Sequence, residues 1–164
     1  MQYRDIPHTN LHPSALCLGT GSFGTGIDAS SAFRLLDIFL EHGGTFIDTA
    51  RVYGAWVPNG LGLSEKVIGQ WVNERHVREQ IVLGTKGAHP VFSARHIPRL
   101  APQDIIADLD ESLRCLQTEY IDLYWLHRDD PQRPVADILE TLNEQVRQGK
   151  IRYFGCSNWH VERI

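Results

Sequence analysis

Short apolar runs alternate with amphipathic stretches along the whole chain. Five runs have the length and apolar content of strands, at residues 15–18, 45–48, 81–85, 121–126 and 152–156. Between them, apolar residues recur every three or four positions, which is typical of helices with one buried face. These stripes are Phe33, Leu36 and Leu40; Leu63, Val67 and Trp71; Ile105, Leu109, Leu113 and Leu116; and Val135, Ile138, Leu142 and Val146. The alternation predicts parallel strands joined by right-handed helical crossovers.

Cap and turn residues delimit these elements. Asp28 or Ser30 is expected to cap the first helix, because both side chains accept hydrogen bonds from free amides. Pro134 is expected at the first position of the last helix, and Gly149 at its end. Residues 161–164 resemble the first turn of a further helix. The chain is therefore predicted to contain five βα units.

One α/β fold that fits this pattern is a Rossmann-type dinucleotide-binding domain. Residues 19–24 match the motif G-x-G-x-x-G after a strand, and Asp48 ends the next strand, where a ribose-binding acid would lie. In that motif the third glycine opens a helix, whereas residues 25–28 intervene here. The order of the strands in the sheet distinguishes this fold from a (β/α) barrel. In a Rossmann sheet the strand order reverses at a switch point, whereas the strands of a barrel follow one another in sequence order.

The other fold is a (β/α) barrel, which polar residues after the strands favour. The strand ends carry, in chain order, Gly21-Ser22-Phe23, Asp48 with Tyr53, Lys86, His127, and Ser157-Asn158. A buried parallel strand has no packing reason to end in lysine or histidine. In a closed barrel all the carboxyl ends face one pocket, so these groups would meet there.

Composition narrows the class of protein. The chain has 164 residues, of which 42% are hydrophobic and 22% charged, with a formal net charge of −4, as expected for one soluble domain. The acidic balance argues against nucleic-acid binding, and no apolar run approaches the ~18 residues of a membrane span. Three scattered cysteines, Cys17, Cys115 and Cys156, indicate reduced thiols in a cytoplasmic protein.

The remaining histidines and two runs of charged residues are expected to have no catalytic or metal-binding role. His89 and His96 lie in a loop without partners at ligand spacing, so no metal site is expected. The acidic run 108–111 is interpreted as a solvated helix face. The run Arg128-Asp129-Asp130 is interpreted as a surface ion cluster, with a place on the rim of the pocket as the alternative.

Several motifs together resemble one family. Residues 44–50, Gly-Thr-Phe-Ile-Asp-Thr-Ala, followed by Tyr53-Gly54, resemble the signature of the aldo-keto reductases. The match continues in family order at residues 62–65 with 68–69, 83–86, 120–124 with His127, and 155–158. Residues 3–18 resemble the β-hairpin that closes the bottom of that barrel. The resemblance covers essentially the whole chain. It implies an α/β fold, an incomplete TIM-type (β/α)8 barrel with strands one to five and an N-terminal β-hairpin.

This resemblance implies an NADPH-dependent oxidoreductase that reduces aldehydes or ketones to alcohols, with a small carbonyl compound as its partner. Tyr53 would be the proton donor. Lys86 would assist it, because an ammonium beside a phenol favours the phenolate. Asp48 would pair with Lys86 and hold it. His127 would donate a hydrogen bond to the carbonyl oxygen and stabilise its developing negative charge.

The resemblance also assigns residues to the cofactor, NADP(H). Ser157 and Asn158 match the positions that hold the nicotinamide carboxamide. Gly21 and Ser22 would line the other side of the cofactor, and Asp48 belongs to both the catalytic and the cofactor-binding sets.

Phe23 and Trp56 are expected, from their loop positions, to form walls of an apolar substrate pocket together with His127. Taken singly, each of the catalytic candidates has a structural explanation, such as a plain ion pair or a packing residue. Their joint occurrence at successive strand ends favours the catalytic interpretation.

A complete (β/α)8 barrel needs about 250 residues, and only five strands are counted here. Residues 1–164 are therefore expected to form one barrel domain truncated at its C-terminal end, without the loops that bind the cofactor phosphates. Its unpaired edge strands would favour self-association. A non-catalytic remnant that keeps the fold as an interaction module is a further alternative.

Overall fold

A computed structural model describes residues 1–164 as a five-stranded sheet with four helices. The strands are β1 (Cys17–Gly19), β2 (Phe46–Asp48), β3 (Val82–Gly87), β4 (Ile121–Leu126) and β5 (Ile151–Cys156). The helices are α1 (Ala29–Glu41), α2 (Leu63–Arg75), α3 (Pro102–Leu116) and α4 (Val135–Arg147). Short 3₁₀ turns lie at Arg78–Gln80, Phe92–Ala94 and Val161–Arg163.

The strands are all parallel and lie in sequence order, β1-β2-β3-β4-β5. A Rossmann sheet would reverse its order at a switch point, so this order excludes that alternative. The observed sheet is the first part of a barrel, as expected. Because β1 and β5 each pair on one side only, both edges of the sheet are open.

The four helices cover one face of the sheet and bury a single core. Each helix contributes its predicted stripe, represented by Leu36, Trp71, Leu109 and Leu142, all 1% exposed or less. The indole N–H of Trp71, the largest of the buried side chains, donates to Asp37 on α1 over 2.7 Å, which ties α1 to α2. No helix is long and apolar enough to cross a membrane.

Strand alternation decides which side chains leave the core. The hydroxyl of Thr85 donates to Glu65 on α2, so Thr85 points towards the helices. Lys86 is the next residue of β3 and therefore points to the opposite face. There it lies beside Trp125 of β4, its partner in the register.

Some predicted boundaries differ from the structure. β1 begins at Cys17 rather than at residue 15, and β3 continues through Lys86 to Gly87 because both pair with β4. Asp28 rather than Ser30 caps α1, accepting from the amide of Ser31. Pro134 precedes the first helical residue of α4, because its ψ of 133° is extended. Residues 161–163 form a 3₁₀ turn rather than an α-helical one.

The predicted hairpin lies at the amino ends of the strands. The amide of Arg4 donates to Pro13 over 3.0 Å, and Tyr3 forms an antiparallel bridge with Ser14. The hydroxyl oxygen of Ser14 accepts from the amides of Thr45 and Phe46, which fastens the hairpin to the start of β2. The hairpin is thus far from the carboxyl ends of the strands, where the candidate site lies.

Candidate active site

The structure brings together the four residues that were predicted to be catalytic. Asp48 ends β2, Lys86 lies near the end of β3, and His127 directly follows β4. Tyr53 lies in the loop after β2, five residues beyond Asp48. Carboxyl ends of neighbouring parallel strands share one edge of the sheet, which is why residues so far apart in sequence meet.

The ammonium group of Lys86 is held by three oxygen atoms. Its Nζ donates to Asp48 Oδ2 over 2.5 Å, to the Thr49 carbonyl oxygen over 2.7 Å and to the Tyr53 hydroxyl over 3.4 Å. The Lys86 side chain is only 11% exposed, so little water competes for these bonds. The arrangement places a positive charge against the phenol oxygen of Tyr53 and fixes it there.

The ring of His127 lies against that of Tyr53. The two ring centroids are 6.1 Å apart and the rings are nearly perpendicular, at 81°. The backbone of His127 is fixed at both ends, because its amide donates to Gly87 and its carbonyl oxygen accepts from Asn158 Nδ2. Its Nδ1 is buried and has no hydrogen-bond partner.

Burial, and to a smaller extent the neighbouring His89, Lys86 and Arg128, together lower the pKa of His127 to about 3. The imidazole is therefore neutral at neutral pH. A neutral imidazole carries one N–H, which can donate a hydrogen bond to a carbonyl oxygen without bringing a second positive charge beside Lys86.

Three fully buried hydroxyl groups support the loop that carries Asp48 and Tyr53. The hydroxyl of Ser64, at the start of α2, lies 2.9 Å from that of Thr49 and donates to the Thr20 carbonyl oxygen over 2.8 Å. The Thr20 hydroxyl in turn donates to the carbonyl oxygen of Asp48. None of these three hydroxyl groups was predicted to support the site, although Ser64 belongs to one of the motifs that resemble the family.

Asp108 on α3 also holds the loops of the site and, contrary to the expectation, does not lie on a solvated helix face. It is 1% exposed. Its carboxylate accepts from the amide of Ala88 and from Arg99, and lies 3.4 Å from Arg51. The amide of Arg51 donates to the carbonyl oxygen of Lys86. One buried carboxylate on α3 thus joins the loops after β2 and β3.

The residues predicted to bind the cofactor lie along the same edge. Asn158 is exposed, and its Nδ2 donates to the Ser157 hydroxyl, which leaves its amide oxygen free. Ser157 and Asn158 can therefore offer a donor and an acceptor, the pair that a nicotinamide carboxamide requires. Space is open above Gly21, and Ser22 is exposed. Ser157, Asn158, Gly21 and Ser22 thus fit the nicotinamide end of a dinucleotide.

The two predicted pocket walls are placed differently from the expectation. Phe23 is 2% exposed and belongs to the hydrophobic core, so it does not form a wall of an open pocket. Its ring turns inward because residues 22–27 close a tight loop, in which the amide of Ile27 donates to Ser22. Trp56 is 52% exposed and lines neither of the cavities described next.

Two cavities open near the site, and Lys86 is the one catalytic candidate that lines either of them. The inner cavity, of about 320 Å³, is lined by Lys86, His89 and Phe92 among others. The outer groove, of about 470 Å³, shares His89 and Phe92 and extends to Arg128 and Asn158. The ring of His89 lies 5.0 Å from that of His127, so the histidine that was expected to have no special role adjoins the site.

Comparisons with known proteins identify the family of the chain. A family model described as the aldo/keto reductase family matches residues 15–164. The chain is 40% identical, over 98% of its length, to an uncharacterized oxidoreductase of Bacillus subtilis (strain 168), YrpG, of which it covers 51%. It is 35% identical, over 100% of its length, to the aldo-keto reductase YhdN of the same organism, of which it covers 49%.

Among solved structures, the aldo-keto reductase AKR11C1 from Bacillus halodurans, in its holo form, matches with a TM-score of 0.81 and 33% identity. That match covers 96% of this chain and 50% of the other. The chain therefore spans about half the length of the curated relatives that it matches.

Proposed function

The chain belongs to the aldo/keto reductase family, and on that premise we propose that the protein reduces aldehydes or ketones to alcohols with NADPH. One observation carries this proposal. The Lys86 ammonium contacts both the Asp48 carboxylate and the Tyr53 hydroxyl, and the neutral ring of His127 lies edge-on to that of Tyr53, with 6.1 Å between the ring centroids.

The nicotinamide of NADPH supplies the hydride when it is bound. Ser157 and Asn158 would hold its carboxamide, and Gly21 and Ser22 would line its other side. Asp48, which the resemblance also assigned to the cofactor, acts here through its ion pair with Lys86.

Tyr53 supplies the proton. As a hydride adds to the carbonyl carbon, negative charge grows on the carbonyl oxygen, and the Tyr53 O–H donates its proton to that oxygen. The alcohol is formed and a phenolate remains. Lys86 Nζ, 3.4 Å from the phenol oxygen, stabilises that phenolate, and Asp48 keeps Lys86 in position.

His127 orients the carbonyl group. Its neutral N–H would donate to the same oxygen atom that receives the proton of Tyr53, which stabilises the charge that develops there. The amide of His127 and the side chain of Asn158 fix its backbone, so the ring is held before the substrate arrives.

A deuterium-transfer experiment tests the proposed reaction. The protein at its natural length is incubated with benzaldehyde and NADPH carrying deuterium at the transferable position of nicotinamide C4. We expect benzyl alcohol with deuterium on the carbinol carbon, detected by mass spectrometry. Unlabelled alcohol, or no alcohol with any of a panel of aldehydes, contradicts the proposal.

Two lysine variants make that test specific to the site. Lys86→Met is expected to lower kcat by about 10²- to 10⁴-fold, the range of general acid–base assistance. Lys150→Met is the matched control, because Lys150 pairs only with the exposed Asp110 at the surface. Equal losses in both variants would show that the Lys86 charge has no part in the reaction.

A further inference from the structure

The outer groove indicates which class of carbonyl compound the protein reduces. This inference rests on the proposed function. We infer that the carbonyl substrate carries a carboxylate or a similar anionic group, which Arg95 and Arg128 bind in the outer groove while the carbonyl group lies at Tyr53 and His127.

Two cationic side chains in this groove have no acidic partner. Most arginines of the chain are paired with a carboxylate; these are Arg51, Arg75, Arg78, Arg99, Arg114, Arg147, Arg152 and Arg163. Arg95 and Arg128 both line the groove and form no ion pair. The only aromatic contact of Arg95 is with the ring of Phe92, whose centroid lies 4.8 Å from its guanidinium carbon.

Asp129 is the one acidic residue that lines the groove, and its charge is offset by Arg163. Asp129 accepts two hydrogen bonds from the guanidinium of Arg163, over 3.0 and 3.1 Å. Burial lowers the pKa of His89, and the charges of Arg128 and Arg95 lower it too, so His89 is neutral at neutral pH. The two guanidinium groups of Arg95 and Arg128 are therefore permanent positive charges of the groove that no carboxylate of the chain offsets.

Two residues that line the groove contact His127. His89 lines the groove, and its ring lies 5.0 Å from that of His127. Asn158 lines the groove as well and holds the carbonyl oxygen of His127. His127 itself does not line the groove, so a small molecule in the groove lies one side chain away from it, and its carbonyl end must extend past His89 to reach His127. The volume of about 470 Å³ is in the usual range for small-molecule sites.

The chemistry of the two side chains selects the anion. A guanidinium group presents paired N–H donors that match the two oxygen atoms of a carboxylate. Arg95 and Arg128 are both exposed and line the same groove, so an anion placed there gains an attraction to each of them. A neutral carbonyl compound would leave both charges uncompensated, so an anionic substrate is expected to bind more tightly.

A matched pair of aldehydes tests this inference. 4-Carboxybenzaldehyde and methyl 4-formylbenzoate have the same ring and the same aldehyde, but only the first is charged at neutral pH. With the protein at its natural length, we expect a KM at least tenfold lower for the charged aldehyde. In the double variant Arg95→Gln/Arg128→Gln, this ratio should fall towards one. The control Arg147→Gln, an exposed arginine on α4, should retain it.

Calorimetric titration with terephthalate gives a readout that needs no turnover. Binding to the unaltered protein that is lost in the double variant supports the inference. An unchanged ratio and unchanged terephthalate binding in the double variant overturn it, while reduction of both aldehydes leaves the proposed function standing. Reduction of neither aldehyde counts against the proposed function instead. Weaker binding of NADPH in the double variant, with the aldehyde ratio intact, would show that the groove holds a phosphate of the cofactor and would also overturn the inference.

Discussion

Three oxygen acceptors fix the ammonium group of Lys86, and two of them, Asp48 and Tyr53, were foreseeable from the sequence because titratable groups follow consecutive strands. The third, the carbonyl oxygen of Thr49, is a backbone atom that no pattern of residue types reveals. Phe23 was misplaced for a related reason. Its position in the loop after β1 was right, but the direction of its ring depends on how that loop closes.

The imidazole of His127 is expected to stay neutral around neutral pH, which NMR can test for this single residue. Because burial lowers its pKa to about 3, the ring signals of His127 in NMR spectra should not titrate between pH 5 and pH 8. The variant His127→Gln assigns the signals by removing them. An inflection of these signals between pH 5 and pH 8 would contradict the neutral imidazole that the proposed mechanism uses.

At the scale of elements, the periodic apolar stripes identified all four helices, and the continuous apolar run identified β4 to the residue. The boundaries of β1 and β3 were less well predicted, because strand ends are decided by pairing with a neighbour and not by the strand's own residues. Although the pair of Asp48 and Lys86 was expected from the family resemblance, some other polar contacts between elements were missed. Asp108 and Arg51 are an example, since they lie 57 positions apart in the sequence and meet only in the folded chain.

Glu65 on α2 provides a test of how α2 packs against the sheet. Burial raises the pKa of this carboxyl from 4.5 to about 7, and only one of its oxygen atoms has a partner, the hydroxyl of Thr85. A raised pKa of an acid means that the folded state binds the proton more tightly than the unfolded state. The free energy of unfolding should therefore fall as the pH rises from about 4.5 to about 7.

The variant Glu65→Gln should lose this dependence, because its amide carries no charge at any pH and can still accept from Thr85. Urea unfolding at pH 8 is expected to show it more stable than the unaltered chain by up to about 3 kcal/mol, the equivalent of the shift in pKa. Glu74→Gln, an exposed change on the same helix, is the control. A parallel fall of stability with pH in Glu65→Gln and in Glu74→Gln would assign the dependence to other groups.

At the scale of the whole molecule, the order of the strands is the main result. The alternation of apolar runs and helical stripes predicted five parallel strands and left their order open between a Rossmann sheet and a barrel. The family resemblance implied the sequential order and the hairpin, and the structure confirms both. The two open edges, at β1 and β5, follow from the same order. Within residues 1–164, neither the free edge of β1 nor that of β5 has a partner strand.

Residues 1–164 expressed alone are expected to bind NADPH weakly. The family resemblance places the phosphate-binding loops after the seventh and eighth strands, so this segment would hold only the nicotinamide end. A fluorescence titration should give a dissociation constant well above the micromolar range. Tight, micromolar binding would contradict this expectation.

The same segment is expected to self-associate, because unpaired parallel edges offer free backbone donors and acceptors. Sedimentation velocity over a range of concentrations should show dimers or larger species that dissociate on dilution. A monomer at all concentrations would show that the edges of β1 and β5 are protected in solution.

Replacing the Tyr53 hydroxyl by hydrogen tests the central claim most directly, because it removes the proton donor and leaves the ring in place. In the protein at its natural length, we expect Tyr53→Phe to lower kcat for aldehyde reduction by at least about 10²-fold. Its dissociation constant for NADPH, measured in parallel, should stay within a factor of two or so of the unaltered protein. A Tyr53→Phe variant that reduces aldehydes at the original rate would mean that the Asp48, Tyr53, Lys86 and His127 cluster is not the proton-donating site.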